Sequence, residues 1–543
     1  MSVFFKAYHR QAEPEVYPGG LAHSVHLAYS LDGENYEPLN KNYGIVFEKG
    51  DISADNRILP RGVKEPRLLR LEDGAFGVCG VRTLEDGQPD EAYAGKLLLW
   101  RTEDFITFRR MEPVAAEALE RYAPAPELAV EDDALAGKAV THWLPLRPLC
   151  PELPKTLRVR NEAELEGICA TAMYSDGSTA QKKLHWQKNG QDLSRPGTYR
   201  LQAQVGEKPL PFPLAEGYGD PVLLKWEGKW HFIATNDNLD DVGLYIRQGD
   251  TVEELFREGV EEHLILPPDP ARHLIQTFWA PEFHLIGGEL YILFAVGPEK
   301  WGPQCHMMKL KKGCSLIRED SWEDPVRVLK KDGTPLTETA ITLDMTFIPA
   351  ESGSYVVWSY REHIMTPMDS GSMLYIATID EREPWRLTSD PVLLTRPLYG
   401  WENVDGTINN EGPYCFLKDG TVYLTYSGGS ANAYTYALGL LTADTRADLL
   451  DIASWHKRIA PVLTYYSVEG QYGPGHNSFY RSDDGDLMIA FHAETGLREH
   501  LRCDGIRRVH FRADGRPDFE LSDRQDLPEE YRLVEVEVVI TGE

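Results

Sequence analysis

Between residues 212 and 530 one local pattern recurs: a strand-like run, a glycine turn, and a second strand rich in aromatic residues. Residues 222–226 pass through Glu227-Gly228 into 229–234, and residues 284–286 pass through Gly287-Gly288 into 289–294. The pattern returns at 414–417, Asp419-Gly420 and 421–426, and again at 478–481, Asp484-Gly485 and 486–491. Short glycine turns between apolar runs mark β-hairpins. Their spacing, about 60 residues or a multiple of it, is that of a sheet repeated around an axis, and a span of roughly 320 residues accommodates five such sheets. The expected fold class is therefore all-β, with a five-bladed β-propeller over residues 212–543.

Two further segments precede it. Residues 1–150 carry strand-like runs ending in Asp32-Gly33 and Asp73-Gly74 turns, enough for partial propeller-like blades but not for a closed ring. Residues 152–208 alternate short strands with turn signals such as 175–179 and Pro196-Gly197-Thr198-Tyr199. This is the pattern of a small β-sandwich and resembles bacterial immunoglobulin-like modules. Unpaired strand edges need cover, so the N-terminal blades are expected to pack on the propeller or the sandwich. A structural or substrate-restricting role is favoured over sugar binding through Tyr29 or Trp100.

Lys and Arg number 56 against 85 Asp and Glu, a net charge of −29. Such a surface repels phosphate backbones and anionic membranes, leaving a neutral sugar compatible and nucleic acid and membrane excluded as partners. No apolar run reaches the roughly 18 residues of a membrane span. The seven cysteines are scattered without a Cys-x-x-Cys pair, which argues against a disulfide framework or a zinc site. The polar start Met1-Ser2-Val3-Phe4-Phe5-Lys6 lacks the apolar core of a signal peptide, so the expected setting is cytoplasmic. Nothing in the sequence sets the oligomeric state.

Three carboxylates stand out. Asp344 interrupts the apolar run 341–348, where an unpaired charge costs several kcal/mol to bury. Asp220 precedes Pro221 at the head of a strand, and Glu411 opens Glu411-Gly412-Pro413-Tyr414. Each of these two fits either a turn residue or an acid–base group. His476, cushioned in Gly473-Pro474-Gly475-His476-Asn477, fits either a hydrogen-bonded core histidine or a site residue.

Wider matches narrow the choice. Trp279-Ala280-Pro281-Glu282, Trp401-Glu402, Asn410-Glu411-Gly412-Pro413, Thr425-Tyr426-Ser427, Gly439-Leu440-Leu441 and the motif at 473–479 occur in this order, followed by 511–519. Together they resemble glycoside hydrolase family 43, closest to its α-L-arabinofuranosidase branch. The resemblance implies a propeller with Asp220 as general base, Glu411 as general acid and Asp344 tuning the acid. It implies substrate contacts from Trp279, Trp401, Ser427 and Arg502, with Arg507 as the substitute arginine. His476 would lie on the axis near a bound calcium or other metal ion, with no cofactor required. The implied activity is inverting, exo-acting release of arabinofuranosyl units from a small oligosaccharide. β-Xylosidase is the alternative, and a catalytically inactive carbohydrate-binding propeller the second.

Overall fold

The computed structural model describes residues 3–207, 209–364, 366–404 and 408–542, and its regular structure is dominated by strands. Five four-stranded antiparallel sheets account for residues 215–508. The first runs Tyr218–Trp226, Lys229–Asn236, Leu244–Gly249 and His263–Leu266. The second, third and fourth open with Gln276–Ile286, Ile341–Ala350 and Asn410–Lys418. The fifth opens with Tyr472–Arg481 and continues through Leu487–Glu494 and Cys503–Arg508. Its last strand pairs with Ala215–Glu216, so chain from before the first sheet completes the fifth. Leading strands of successive sheets touch one another from the first sheet to the fourth.

One irregularity repeats in these leading strands. In the first sheet Gly219 pairs with Thr235 and Val222 with Ile233, so Asp220 and Pro221 face one residue of the partner strand, and Asp220 has φ 60°. The same two-against-one bulge occurs at Ala280-Pro281 (φ 46° at Ala280), Asp344-Met345 (φ 51°) and Gly412-Pro413 (φ 55°). His476 in the fifth leading strand has φ 43°. A bulge of this kind re-aims the side chains beside it. Proline at its second position has no N–H to leave unpaired.

The N-terminal segment forms two sheets. One orders Glu127–Val130, Val3–Tyr8, His26–Ser30 and Glu37–Pro38; the other orders Val114–Ala115, Lys96–Thr102, Phe76–Leu84 and Arg61–Arg70. The second contains a fifth copy of the bulge, at Glu65-Pro66 with φ 50° on Glu65. This segment belongs to the same compact unit as the first four sheets, which comprises Met1–Trp143, Phe212–Phe479 and Ala490–Gly505. Tyr17, Leu21, Tyr43 and Phe47 share one apolar cluster with Tyr399, Trp401, Val404 and Tyr426. Gly50 N donates to Leu398 O at 2.6 Å, and Arg396 Nη1 donates to Asn56 Oδ1 at 2.7 Å. Trp100 is buried in this unit and offers no open face to a sugar.

The other unit comprises Leu144–Pro211, Tyr480–Ile489 and Ile506–Glu543. It corrects the expected boundaries, because residues 152–208 do not complete a sheet alone and residues 212–543 are not one domain. Its six strands follow one path: Pro148–Glu152, Cys169–Tyr174, Thr179–Gln187, Gly197–Val205, Leu533–Ile540 and Thr156–Val159. The C-terminal strand alternates buried Val536, Val538 and Ile540 with exposed positions. It pairs antiparallel with Gly197–Val205 and parallel with Thr156–Val159.

Two glycines show how closely the N-terminal segment is applied to the fourth sheet's surroundings. A Cβ on Gly20 would stand 2.8 Å from Gly400 O, and one on Gly400 would stand 2.5 Å from Gly20 O. Neither backbone can step aside alone. Gly400→Ala is therefore expected to destabilise the protein by about 1–3 kcal/mol, the usual range for overpacking, read as a lower Tm. Gly137→Ala, at a helical position with nothing within 4 Å, should leave Tm unchanged or raise it.

Candidate active site

The four bulges and the left-handed His476 bring together side chains from all five leading strands. His476 lies at the centre. Its Nδ1 is 3.0 Å from Asp220 Oδ1, its backbone N–H donates to Ser427 Oγ at 2.8 Å, and its ring lies against Gly412, where a Cβ would approach Cγ to 2.8 Å. Burial opposes a charge on this ring, but Asp220, Asp344, Glu411 and Glu282 outweigh it and raise its pKa. The surrounding carboxyl groups thus favour the charged form of the His476 ring. With Nδ1 turned to Asp220, Nε2 is the ring nitrogen that could hold a metal, and only in the neutral form of the ring. Among the described residues, Glu207, His510 and Asp526 form a group close enough to share an ion. Lys182 Nζ already lies 3.3 Å from Glu207 and Arg508 Nη1 2.7 Å from Asp526.

Asp220 is buried and accepts from Thr235 Oγ1 at 2.5 Å and Arg502 Nη1 at 3.1 Å. His492 Nδ1 stands 3.3 Å from the same Oδ1. Burial alone would raise its pKa, yet His476, Arg502 and His492 hold it well below the usual carboxylate range. Asp344 is equally buried, accepts from Ser359 Oγ at 2.8 Å and from Gly412 N at 3.1 Å, and is raised chiefly by burial. Glu411 is partly open. It accepts from Tyr436 OH at 3.0 Å and Ser372 Oγ at 3.4 Å, and burial together with the Asp344 charge raises it to about 7. Two carboxyl groups around one histidine are thereby shifted in opposite directions, the arrangement needed for paired acid and base chemistry.

The remaining expected residues divide. Arg502 reaches the site, bridging Asp220 to Asp237, whose Oδ2 accepts from its Nε at 2.9 Å. Arg507 instead donates to the carbonyls of Leu210 and Ile506. Trp279 is half-buried beside the site, and its Nε1 donates to Asp241 Oδ2 at 2.8 Å. Trp401 is 0% exposed and donates to Ile459 O within the aromatic cluster, so it is a core residue and not a sugar contact. Ser427 is also fully buried; it holds the His476 backbone and does not face substrate.

Several members escaped sequence reasoning. Glu282 closes the Trp279-Ala280-Pro281-Glu282 motif and was available as a signal, but its role depends on neighbours from other strands. It is 2% exposed, its Oε2 lies 2.6 Å from His284 Nε2, and burial raises it well above the usual range. Asp241, raised to about 6 by burial, lies in a polar loop without a motif, as does Asp237. Tyr436, just ahead of the strand Ala437–Asp444, and His492, within Leu487–Glu494, come from positions that read as ordinary core.

These pKa directions set a pH profile. A reaction that needs ionised Asp220 and protonated Glu411 keeps kcat/KM level through mildly acidic pH and loses it above about 7, tenfold per pH unit. Asp344→Asn removes a negative charge that raises Glu411, so the alkaline limb should move to lower pH. An unmoved limb would detach Asp344 from the acid.

The sequence profile of glycosyl hydrolases family 43 matches residues 213–517. An extracellular exo-α-(1→5)-L-arabinofuranosidase of Streptomyces avermitilis is 32% identical over 316 residues, covering 56% of this chain and 62% of the relative. The chain therefore spans less than two thirds of that relative's length. The enzyme of the same name from Streptomyces chartreusis is 31% identical over 344 residues, 62% of this chain and 96% of its own. The crystal structure of an α-L-arabinofuranosidase from Lactobacillus brevis aligns with 28% identity and a TM-score of 0.48, covering 57% of this chain and 95% of the other.

Proposed function

The chain belongs to glycosyl hydrolases family 43, and from that premise we propose that it is an inverting, exo-acting hydrolase releasing terminal α-L-arabinofuranosyl residues from arabino-oligosaccharides or arabinoxylan fragments. The observation that carries this reading is the grouping of Asp220, Asp344 and Glu411, from three different leading strands, around His476, with the Asp220 pKa shifted down and that of Glu411 shifted up. Asp220 orients a water molecule and receives its proton as the glycosidic bond breaks. Glu411, open on one side, delivers its proton to the leaving oxygen. Asp344 holds that proton on Glu411 at neutral pH by adding negative charge nearby. Arg502 keeps Asp220 ionised and offers its remaining N–H groups to sugar hydroxyls, and Trp279 forms an apolar wall. Every step is assigned to these side chains, and none passes through a metal.

In the same reading the five sheets are blades around one axis, with the bulges facing it. The pairing of residues 215–216 with the fifth sheet supports such a closure. The two Streptomyces relatives carry "extracellular" in their names, which lends nothing to the cytoplasmic expectation. No described helix is long and apolar enough to cross a membrane.

Aryl α-L-arabinofuranoside and aryl β-xyloside, assayed side by side, test the substrate. The arabinofuranoside is expected to turn over faster, and a clear preference for the xyloside would reverse the assignment. Asp220→Ala and Glu411→Ala should each lower kcat/KM on arabino-oligosaccharide by about 10²–10⁴-fold, the range for losing a general base or acid. A variant that keeps wild-type activity would remove that residue from the mechanism.

A further inference from the structure

The site lies at one end of the five sheets. In the first four, residues just before the bulges pair with the last residues of the second strands: Tyr218 with Asn236, Gln276 with Gly297, Ile341 with Arg361, and Asn410 with Gly428. The loops leaving those second strands therefore rim the site. One of them, residues 298–303, carries an exposed tryptophan. Trp301 is 45% exposed, whereas Trp230, Trp358 and Trp401 in the same unit are fully buried. Its ring meets Trp279 edge-on, with centroids 5.9 Å apart and planes at 64°.

This side chain is held by a tight turn. Gly302 N donates to Glu299 O at 3.1 Å, and a Cβ on Gly297 would collide with Gly302 O at 2.3 Å. Lys300 Nζ lies 5.9 Å from the Trp301 ring. The edge-on contact continues inward through Trp279 to Asp241, and Asp237 then links through Arg502 to Asp220. A rigid aromatic face, partly covered by one tryptophan and open on the remainder, matches the apolar C–H face of a sugar ring, with polar groups beside it to fix orientation.

We infer that Trp301 is the platform for the sugar unit on the leaving-group side of the scissile bond, making it a specificity residue for oligosaccharide over simple glycosides. The inference rests on the arabinofuranosidase reading and adds the element that senses what the terminal arabinose is attached to. Met368, 46% exposed on the rim loop of the third sheet, is a further apolar group at this end of the sheets.

The test compares an α-1,5-linked arabinotriose with methyl α-L-arabinofuranoside, which has no sugar beyond the cleaved bond. Trp301→Ala should raise KM for arabinotriose about tenfold, as expected for a lost aromatic stack, with kcat and methyl glycoside hydrolysis within about twofold of wild type. Trp301→Phe should recover most of the loss, because a flat apolar face remains. If Trp301→Ala leaves the arabinotriose KM unchanged, or lowers kcat/KM equally on both substrates, the platform is refuted while wild-type cleavage of the methyl glycoside upholds the parent reading. If wild type cleaves neither compound, the parent reading fails and the platform fails with it.

Discussion

A left-handed residue set into the leading strand of each of the five sheets, within a bulge in the first four, is the constraint on which the site depends. Regular pleating would send alternate side chains to opposite faces. The left-handed residue breaks that alternation where Asp220, Asp344 and His476 occur, and places Glu411 and Glu282 beside the break. Aspartate tolerates positive φ better than most residues, and glycine carries it freely at 412. Ala280 and His476 are less suited to it and store backbone strain of order 1 kcal/mol or more each. Surrounding packing must supply that energy. Thr235 shows how: its hydroxyl donates to Asp220 and accepts from Ala280 N at 2.8 Å, tying two bulges together.

Charge then does what geometry alone could not. Several buried carboxyl groups would repel one another, and the Arg502 guanidinium with a His476 ring shifted toward its charged form offsets only part of their charge. The shifts follow that balance: the cations beside Asp220 favour its ionised form, while burial favours the protonated forms of Glu411 and Glu282. Ser427, Gly412 and the N–H groups at the bulges fix His476 and Asp344 in place. Loss of any of these holders should therefore be felt as a change in protonation before it is felt as a change in shape.

Much of this was legible in the chain because its signals are local. Glycine turns mark the hairpins at 227–228, 287–288, 419–420 and 484–485. Asp344 declares itself by interrupting an apolar run, and the proline after Asp220, Ala280 and Gly412 marks positions that lack a ladder donor. What escaped depends on partners distant in sequence. Trp401 beside Glu402 looks like a sugar platform until Tyr17, Tyr43 and Phe47 cover it. Leu533–Ile540 reads as a strand, but nothing in it says that its partners lie at 156–159 and 197–205. Glu282 stood inside a quoted motif, yet its protonation follows from burial beside His284 and from charges on other strands. The Glu65-Pro66 bulge repeats the device in the N-terminal segment, whose aromatic residues went into packing against the fourth sheet's surroundings.

The central claim is that Asp220 and Glu411 act from opposite sides of one bond, with water between base and sugar. Proton NMR of the anomer first released from an α-L-arabinofuranoside tests it most directly, within the first minutes and before mutarotation. Single displacement by water gives β-L-arabinofuranose first, with the α anomer appearing only as the sugar equilibrates. Release of the α anomer first would mean a double displacement through an enzyme-bound sugar, and would contradict the roles assigned to both carboxyl groups.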